Sequence, residues 1–326
     1  MASVCLSRVY EAELGAGSGW SLAHTGTVYS MGWEFDGRRL RVHLCGAAVA
    51  ELEEADGGGR LVVRVYAADG ERCWEQGLEA LPWRLGLSED LSRFHEAARG
   101  DPLAGCIPSR MPGWRLRSPS PWGAALVAVA QQNTGFRQGW GMLYRLHLAA
   151  SPRLRGPGWV FLPAPPPGPA LAEAAKASGW GYRADTLRRL AAVARAEPDL
   201  LEAGPSACSS GLLEQVWAVR GVGPYSRALV ELFACRRYGS LPLDRWLKRL
   251  AAEAYGVDPA VSGAELERRF PGYAGLAALA ATVCCDAVPL RKALERLRQG
   301  RCVAGLEEPS PVTLWRHTPP LNRDRV

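Results

Sequence analysis

The sequence predicts an α+β protein, mostly helical, with a small antiparallel sheet at its N-terminus. Strand-like alternation of apolar and polar residues is confined to residues 1–85, and apolar residues recur at helical spacing nearly everywhere after them. The bulk composition agrees: 326 residues, 48% hydrophobic and 22% charged, suffice for two or three domains with real cores.

Each element follows from its own pattern. Residues 26–35 (GTVYSMGWEF) read as a strand and 36–39 (DGRR) as a polar turn. Residues 39–49 (RLRVHLCGAAV) read as a second strand, 53–59 (EEADGGG) as an acidic, glycine-rich break, and 60–68 (RLVVRVYAA) as a third strand. The alternation implies a sheet with one covered face, and the absence of obvious chemistry gives this 1–85 domain a scaffolding role. From about Leu87 the period lengthens: residues 88–100 offer Ser88 as a helix cap with Leu91, Phe94 and His95 along one face. The Pro/Gly-rich stretch 152–169 is expected to be a surface connection, with a loop on the partner-facing side as the alternative. Residues 86–308 are expected to form two helical subdomains with a cleft between them, and 309–326 an irregular tail lying across the helical domain.

Charge and cysteine content narrow the function classes. A net charge of +6, from 39 basic against 33 acidic residues, is compatible with a polyanionic partner but too mild to define one. Lysine occurs only at Lys176, Lys248 and Lys292, so amine chemistry has few candidates. The nine cysteines form no CxxC pair and no Cys/His cluster of zinc-like spacing; they are expected to be mostly reduced, buried thiols, with no metal site. No apolar run reaches the roughly 18 residues of a membrane span, and residues 1–17 lack a long apolar block, so an intracellular monomer without a membrane partner is expected.

The segment richest in chemistry is 212–256. An apolar helix, Leu212 to Val219, meets the turn Gly221-Val222-Gly223, and a second helix starts at Pro224, where a missing N–H costs little. Two glycines let backbone approach a ligand closely, and the unpaired N–H groups of Tyr225 and Ser226 at the second helix's start favour an anion. The carbonyls of Gly221 and Gly223 could also hold a monovalent cation. A short loop through Leu241-Pro242-Leu243 then delivers Asp244 to the start of a third helix, where the macrodipole favours an ionised carboxylate; by itself the position also fits a plain N-cap.

Together these residues resemble the helix-hairpin-helix superfamily of DNA glycosylases, whose pattern is such a hairpin, a helix, and an Asp about twenty residues on. Residues 124–136 (AALVAVAQQNTGF) resemble the family's Gln-bearing helix and loop, and 181–191 (GYRADTLRRLA) its GYR segment. The likeness spans roughly residues 85–300 and, with the N-terminal sheet, leans toward the alkylpurine and 8-oxoguanine branches. It implies an enzyme that turns a damaged purine out of duplex DNA, with Asp244 opposing positive charge on the sugar and aligning water.

Gln131, Gln132, Asn133, Trp180 and Tyr182 are then candidates for the wedge or the base pocket. Where bifunctional relatives carry a lysine two residues past the second hairpin glycine, this chain has Tyr225. Simple hydrolysis is therefore expected, Lys248 being a candidate displaced amine if strand cleavage occurs. Only Cys284, Cys285 and Cys302 lie where some relatives bind an iron-sulfur cluster, so no cluster or other cofactor is expected. The rival readings are a bifunctional 8-oxoguanine glycosylase/AP lyase and a non-catalytic DNA-binding protein.

Overall fold

The computed structural model describes residues 3–17, 19–55 and 59–318; the middle of the 53–59 break and the last eight residues of the tail lie outside them. A four-stranded antiparallel sheet has the order β2-β5-β4-β3, with β2 Ser7–Gly15, β3 Leu40–Cys45, β4 Ala48–Glu54 and β5 Arg60–Ala67. Its covered face is the alternating set Leu61, Val63 and Val65 of β5 with Ala50 and Leu52 of β4 and Leu40 of β3, all at 0% exposure. On the other face Arg41 sits opposite Glu51 and pairs with it at 2.9 Å.

Only β5 falls where the alternation puts it: the single strand expected over 39–49 is two, β3 and β4, folded back on each other at the turn of residues 46–47, β4 runs on to Glu54 inside the expected break, and residues 26–35 are not a strand. Ser21 caps a short helix, Leu22–Thr27, and the chain then turns with Tyr29 in the left-handed region at φ 54°. Val28, Met31, Trp33 and Phe35 are all buried, because this segment is wedged between the sheet and the helical body rather than lying on one face. The missing strand is β2, an edge strand exposed along most of its length, so it leaves little apolar pattern to read.

The Pro/Gly-rich stretch is likewise not a surface connection. It contains β6 Arg153–Gly156 and β7 Trp159–Phe161, which form a second sheet with β1 Ser3–Cys5, parallel to β6. Trp159 to Leu162 are buried, and the carbonyls of Pro163, Pro165 and Pro167 accept from Ser151, Trp122 and Arg195. Proline lacks a donor but keeps its acceptor, which lets this stretch be tied down inside the fold.

Helices begin earlier than expected, with Trp74–Glu79 and Leu81–Leu85. Ser88 does not cap the helix that follows; that helix is Ser92–Ala98, and Asp90 accepts from the Ser92 N–H at 2.8 Å. Leu91 and Phe94 are buried as their spacing implies. The tail is not wholly irregular: Leu314–His317 form a helical turn, whose Leu314 packs on the helical body while Trp315 sets its ring against Phe35 at the sheet.

The cysteines overturn the expectation of reduced thiols. Cys45–Cys73, Cys106–Cys284 and Cys208–Cys235 form disulfides across separations of 28, 178 and 27 residues. Their partners are chosen by tertiary packing, which linear spacing does not reveal. Large aromatics fill the body's core: Trp114 and Trp180 are 1% and 0% exposed, and truncating such a ring costs roughly 3–5 kcal/mol.

Candidate functional site

Three helices present the site. Ser210–Trp217 and Pro224–Cys235 form the hairpin, and Arg245–Tyr255 carries Asp244 as its N-cap. The hairpin turn needs Gly221, whose φ is +103° and whose missing Cβ would lie 2.3 Å from the Thr186 hydroxyl. Gly223 is different: its backbone is extended, and a Cβ there would meet nothing within 4 Å. The fold does not demand glycine at 223, and the open space in front of it is what an approaching partner would use.

The loop between hairpin and Asp244 is fixed by a buried hub. Arg236 ends the second helix with φ 54°, pairs with Glu89 at 2.7 Å, and donates to the carbonyls of Arg84 and Leu116. The Tyr238 hydroxyl also donates to Glu89, at 2.8 Å. Two segments distant in sequence thus set where residues 239–243 run.

The helix Pro121–Ala130, capped by Ser120, leads into the Gln131–Gly135 loop. The Gln132 amide donates to the Gly221 carbonyl at 2.7 Å and to the Ser226 hydroxyl at 2.8 Å, so loop and hairpin form one unit. The Gly223 carbonyl accepts from the Arg227 N–H at 3.0 Å, so both carbonyls considered for a cation already have protein donors. Arg183, from the GYR segment, donates to the Gln132 carbonyl and lies over the Tyr182 ring. Asn133 is exposed, with φ 46°, and donates to the exposed Tyr182 hydroxyl.

Two cavities meet here. An outer groove of about 1040 Å³ is walled by the Gln131–Asn133 loop, Tyr182, Gly221, Gly223 and Ser226, with Arg189, Arg220 and Arg245 along it. A deeper cavity of about 700 Å³ holds the aromatic rings of Tyr29, Phe136, Trp140 and Phe233. Gln131, Thr134, Tyr225, Asp244 and Trp246 line both. Asp244 therefore stands at the junction of groove and cavity.

The chemistry at the junction is set by burial. One Asp244 oxygen accepts from the Leu247 N–H at 2.8 Å, but burial dominates and raises the carboxyl above its ordinary value despite these backbone donors. The helix start thus holds the group less strongly ionised than its position alone implies. Burial, and then the Asp244 charge, push the Tyr225 phenol up as well, so it stays a neutral donor. In the deeper cavity the Gln131 amide nitrogen and the Thr134 hydroxyl are buried without a hydrogen-bond partner. Buried donors of this kind cost roughly 1–3 kcal/mol each until something accepts from them. The Gln131 amide has its place because residue 139 is glycine; a Cβ there would lie 2.4 Å from its nitrogen.

Not every candidate reaches the junction. Val222 is core, and Trp180 is wholly buried with its indole donating to the Met142 carbonyl. Lys248 is exposed on the third helix and lines neither cavity. Sequence reading missed Lys292, which lines the deeper cavity and pairs with Glu307 at 2.6 Å. It also missed Tyr29, Phe136, Trp140 and Phe233, whose helical or strand-like spacing looks the same in a cavity wall as in a core. Among the described residues the one cluster of metal-type side chains, Cys45, Glu71 and Cys73, has both sulfurs in a disulfide. No described helix is long and apolar enough to cross a membrane.

No protein-family model and no curated protein sequence matches the chain. Solved structures do. A 3-methyladenine DNA glycosylase from Archaeoglobus fulgidus superposes with a TM-score of 0.63 at 16% identity, covering 83% of this chain and 96% of its own. The 8-oxoguanine glycosylase/lyase of Clostridium acetobutylicum gives 0.61 at 14%, covering 86% and 99%. MBOgg1, solved with a low-affinity DNA ligand, gives 0.62 at 17%, covering 89% and 98%. The chain has the helix-hairpin-helix α+β fold of these DNA glycosylases over nearly their whole length.

Proposed function

We propose that this chain, built on the fold of 8-oxoguanine and 3-methyladenine glycosylases, is a base-excision enzyme that hydrolyses the N-glycosidic bond of a damaged purine in duplex DNA. The observation that carries the reading is the position of Asp244, between a groove bearing the hairpin and a cavity large enough for a purine. Phosphates would meet the open face of Gly223 and the N–H groups at the start of the Pro224–Cys235 helix, with Arg220 and Arg245 adding charge. A nucleotide turned out of the stack would pass Asp244 and place its base in the deeper cavity, while Asn133 and Tyr182 at the groove occupy the gap left behind.

As the base leaves, positive charge builds on the deoxyribose. A fixed carboxylate in a water-poor junction stabilises that charge and orients the attacking water. Tyr225 replaces the lyase lysine with a phenol that burial keeps protonated, which supports hydrolysis by water. The cavity's rings favour an electron-poor, cationic base, and alkylated purines are the common lesions of that kind. Gln131 and Thr134 supply donors for its edge. Lys292 supports a second reading, an 8-oxoguanine glycosylase/lyase, because it places an amine inside the cavity.

Oligonucleotides carrying 3-methyladenine, hypoxanthine, 8-oxoguanine or uracil, incubated with the protein and then treated with alkali, test the proposal. Release of the alkylated purine, lost in Asp244→Asn, is expected. No release from any lesion, with duplex binding intact, would leave a binding module and end the enzymatic reading.

A further inference from the structure

Cys285 and Cys302 are not among the disulfides, yet their Sγ atoms lie 2.7 Å apart. Unbonded sulfurs do not ordinarily approach so closely, and a disulfide bond of about 2.04 Å is only a small side-chain movement away. The backbone around both is already held. Arg296 donates to the carbonyls of Cys284 and Cys285 on one side and of Arg301 and Val303 on the other. Its partner Asp286 accepts from the N–H groups of Gly305, Leu306 and Glu307. Closing the sulfurs therefore requires no rearrangement of either strand of chain.

We propose that Cys285 and Cys302 are an oxidative modification site, converted by a small-molecule disulfide such as oxidised glutathione into a cross-link that fixes one wall of the deeper cavity. Cys302 is half-buried and reachable, whereas Cys285 is 0% exposed. The Cys302 thiolate attacks one sulfur of the oxidant, forming a mixed disulfide and releasing one thiol. Cys285, having lost its proton, then attacks the Cys302 sulfur and releases the second. Two protein thiols and one small disulfide thus become one protein disulfide and two small thiols. The thiol bond from Cys285 holds Cys302 below the ordinary thiol range, which favours it as the entry point.

The wall concerned is made of Ala287, Val288, Pro289 and Lys292 from one side of the cross-link and Glu307 and Pro309 from the other. Formation of the bond does not depend on the glycosylase reading; only its consequence for base binding does.

The test oxidises the whole protein with oxidised glutathione, blocks remaining thiols with N-ethylmaleimide in denaturant, and maps unreduced tryptic peptides by mass spectrometry. Arg291 and Arg301 put the two cysteines on different peptides. The expected product joins them, in an amount that rises with oxidant, and disappears in Cys302→Ser and in Cys285→Ser while Cys106–Cys284 persists. Alkyl groups on both cysteines, glutathione that stays on Cys302, or a link surviving in Cys285→Ser would overturn the proposal. Limited proteolysis at exposed Arg301 reads the stapling separately: cutting should slow several-fold on oxidation in the parent and not in Cys302→Ser. Equal cutting before and after oxidation would refute the fixed wall. Since Cys302 is half-buried, its variant serves even if Cys285→Ser fails to fold.

Discussion

The Gln132 side-chain amide binds the Gly221 carbonyl at 2.7 Å, joining a loop and a hairpin turn that lie 89 residues apart in the chain. Gln132 is thus occupied in holding loop and hairpin in register, which leaves Asn133 and Tyr182 as the exposed groups beside them. Gln132→Ala should cost about 1–2 kcal/mol of stability through two lost bonds, one of them to the buried Ser226 hydroxyl, and should weaken duplex binding. Asn133→Gly, which keeps the left-handed backbone free of strain, and Tyr182→Ala should leave melting nearly unchanged but slow base extrusion. Chemical denaturation, with 2-aminopurine fluorescence beside the lesion, separates the two effects; equal melting of Gln132→Ala and the parent would count against the assignment.

Asp244→Asn keeps a cap for the third helix while removing the charge at the junction. Base release should fall by about 100-fold or more in single-turnover assays, with duplex affinity nearly unchanged. A loss below tenfold would mean the carboxylate is not the principal group.

Because burial raises the Asp244 pKa, the folded protein holds this proton more tightly than the unfolded chain does. Its contribution to stability is accordingly full below the unfolded-state value and is lost as pH rises through the folded one. Asp244→Asn should melt higher than the parent at neutral pH, and the difference should vanish in acid. The acid limb of base release should lie above the ordinary aspartate range of about 3.9, since only the ionised form works.

The two hairpin glycines should separate. Gly221→Ala forces a side chain into a left-handed backbone and against Thr186, so a stability loss of roughly 1–3 kcal/mol is expected. Gly223→Asp should fold normally and instead lower affinity for duplexes of any sequence by about tenfold or more, because it sets a negative charge where a phosphate would sit. Filter binding at fixed salt checks this, and undiminished affinity would remove the hairpin from the interface.

Borohydride added during turnover should trap no protein–DNA adduct, and Lys248→Ala should leave base release unchanged, since Lys248 lies outside both cavities. An adduct that disappears in Lys292→Ala would instead establish the lyase reading, with the amine in the cavity.

What could be read beforehand was the short-range chemistry. Gly221, Gly223, Pro224 and Asp244 are legible because a tight turn, a helix start and a cap each demand particular residue types at fixed spacing. The QQN loop and the GYR segment were legible through their likeness to a family. The cavity wall was not, because Phe136 and Trp140, four residues apart on one helix, have the same period whether they face a ligand or a core. Tyr29 was hidden further by a left-handed turn inside a run that looks like strand. Strands of three or four residues such as β6 and β7 are too short to show a period. The 178-residue span of Cys106–Cys284 is a property of the folded chain alone.

Of the three cross-links, Cys208–Cys235 has the most direct bearing on how the protein would meet DNA. It ties the chain just before the first hairpin helix to the last residue of the second, at the end away from the turn. A pair of helices joined at both ends cannot scissor, so strain that a bound duplex would impose on the turn would be carried into the body of the protein rather than relaxed by splaying. In thiol-reducing buffer that restraint disappears, together with about 3–4 kcal/mol of loop-closure stabilisation, and the hairpin becomes softer without losing a single group at its turn.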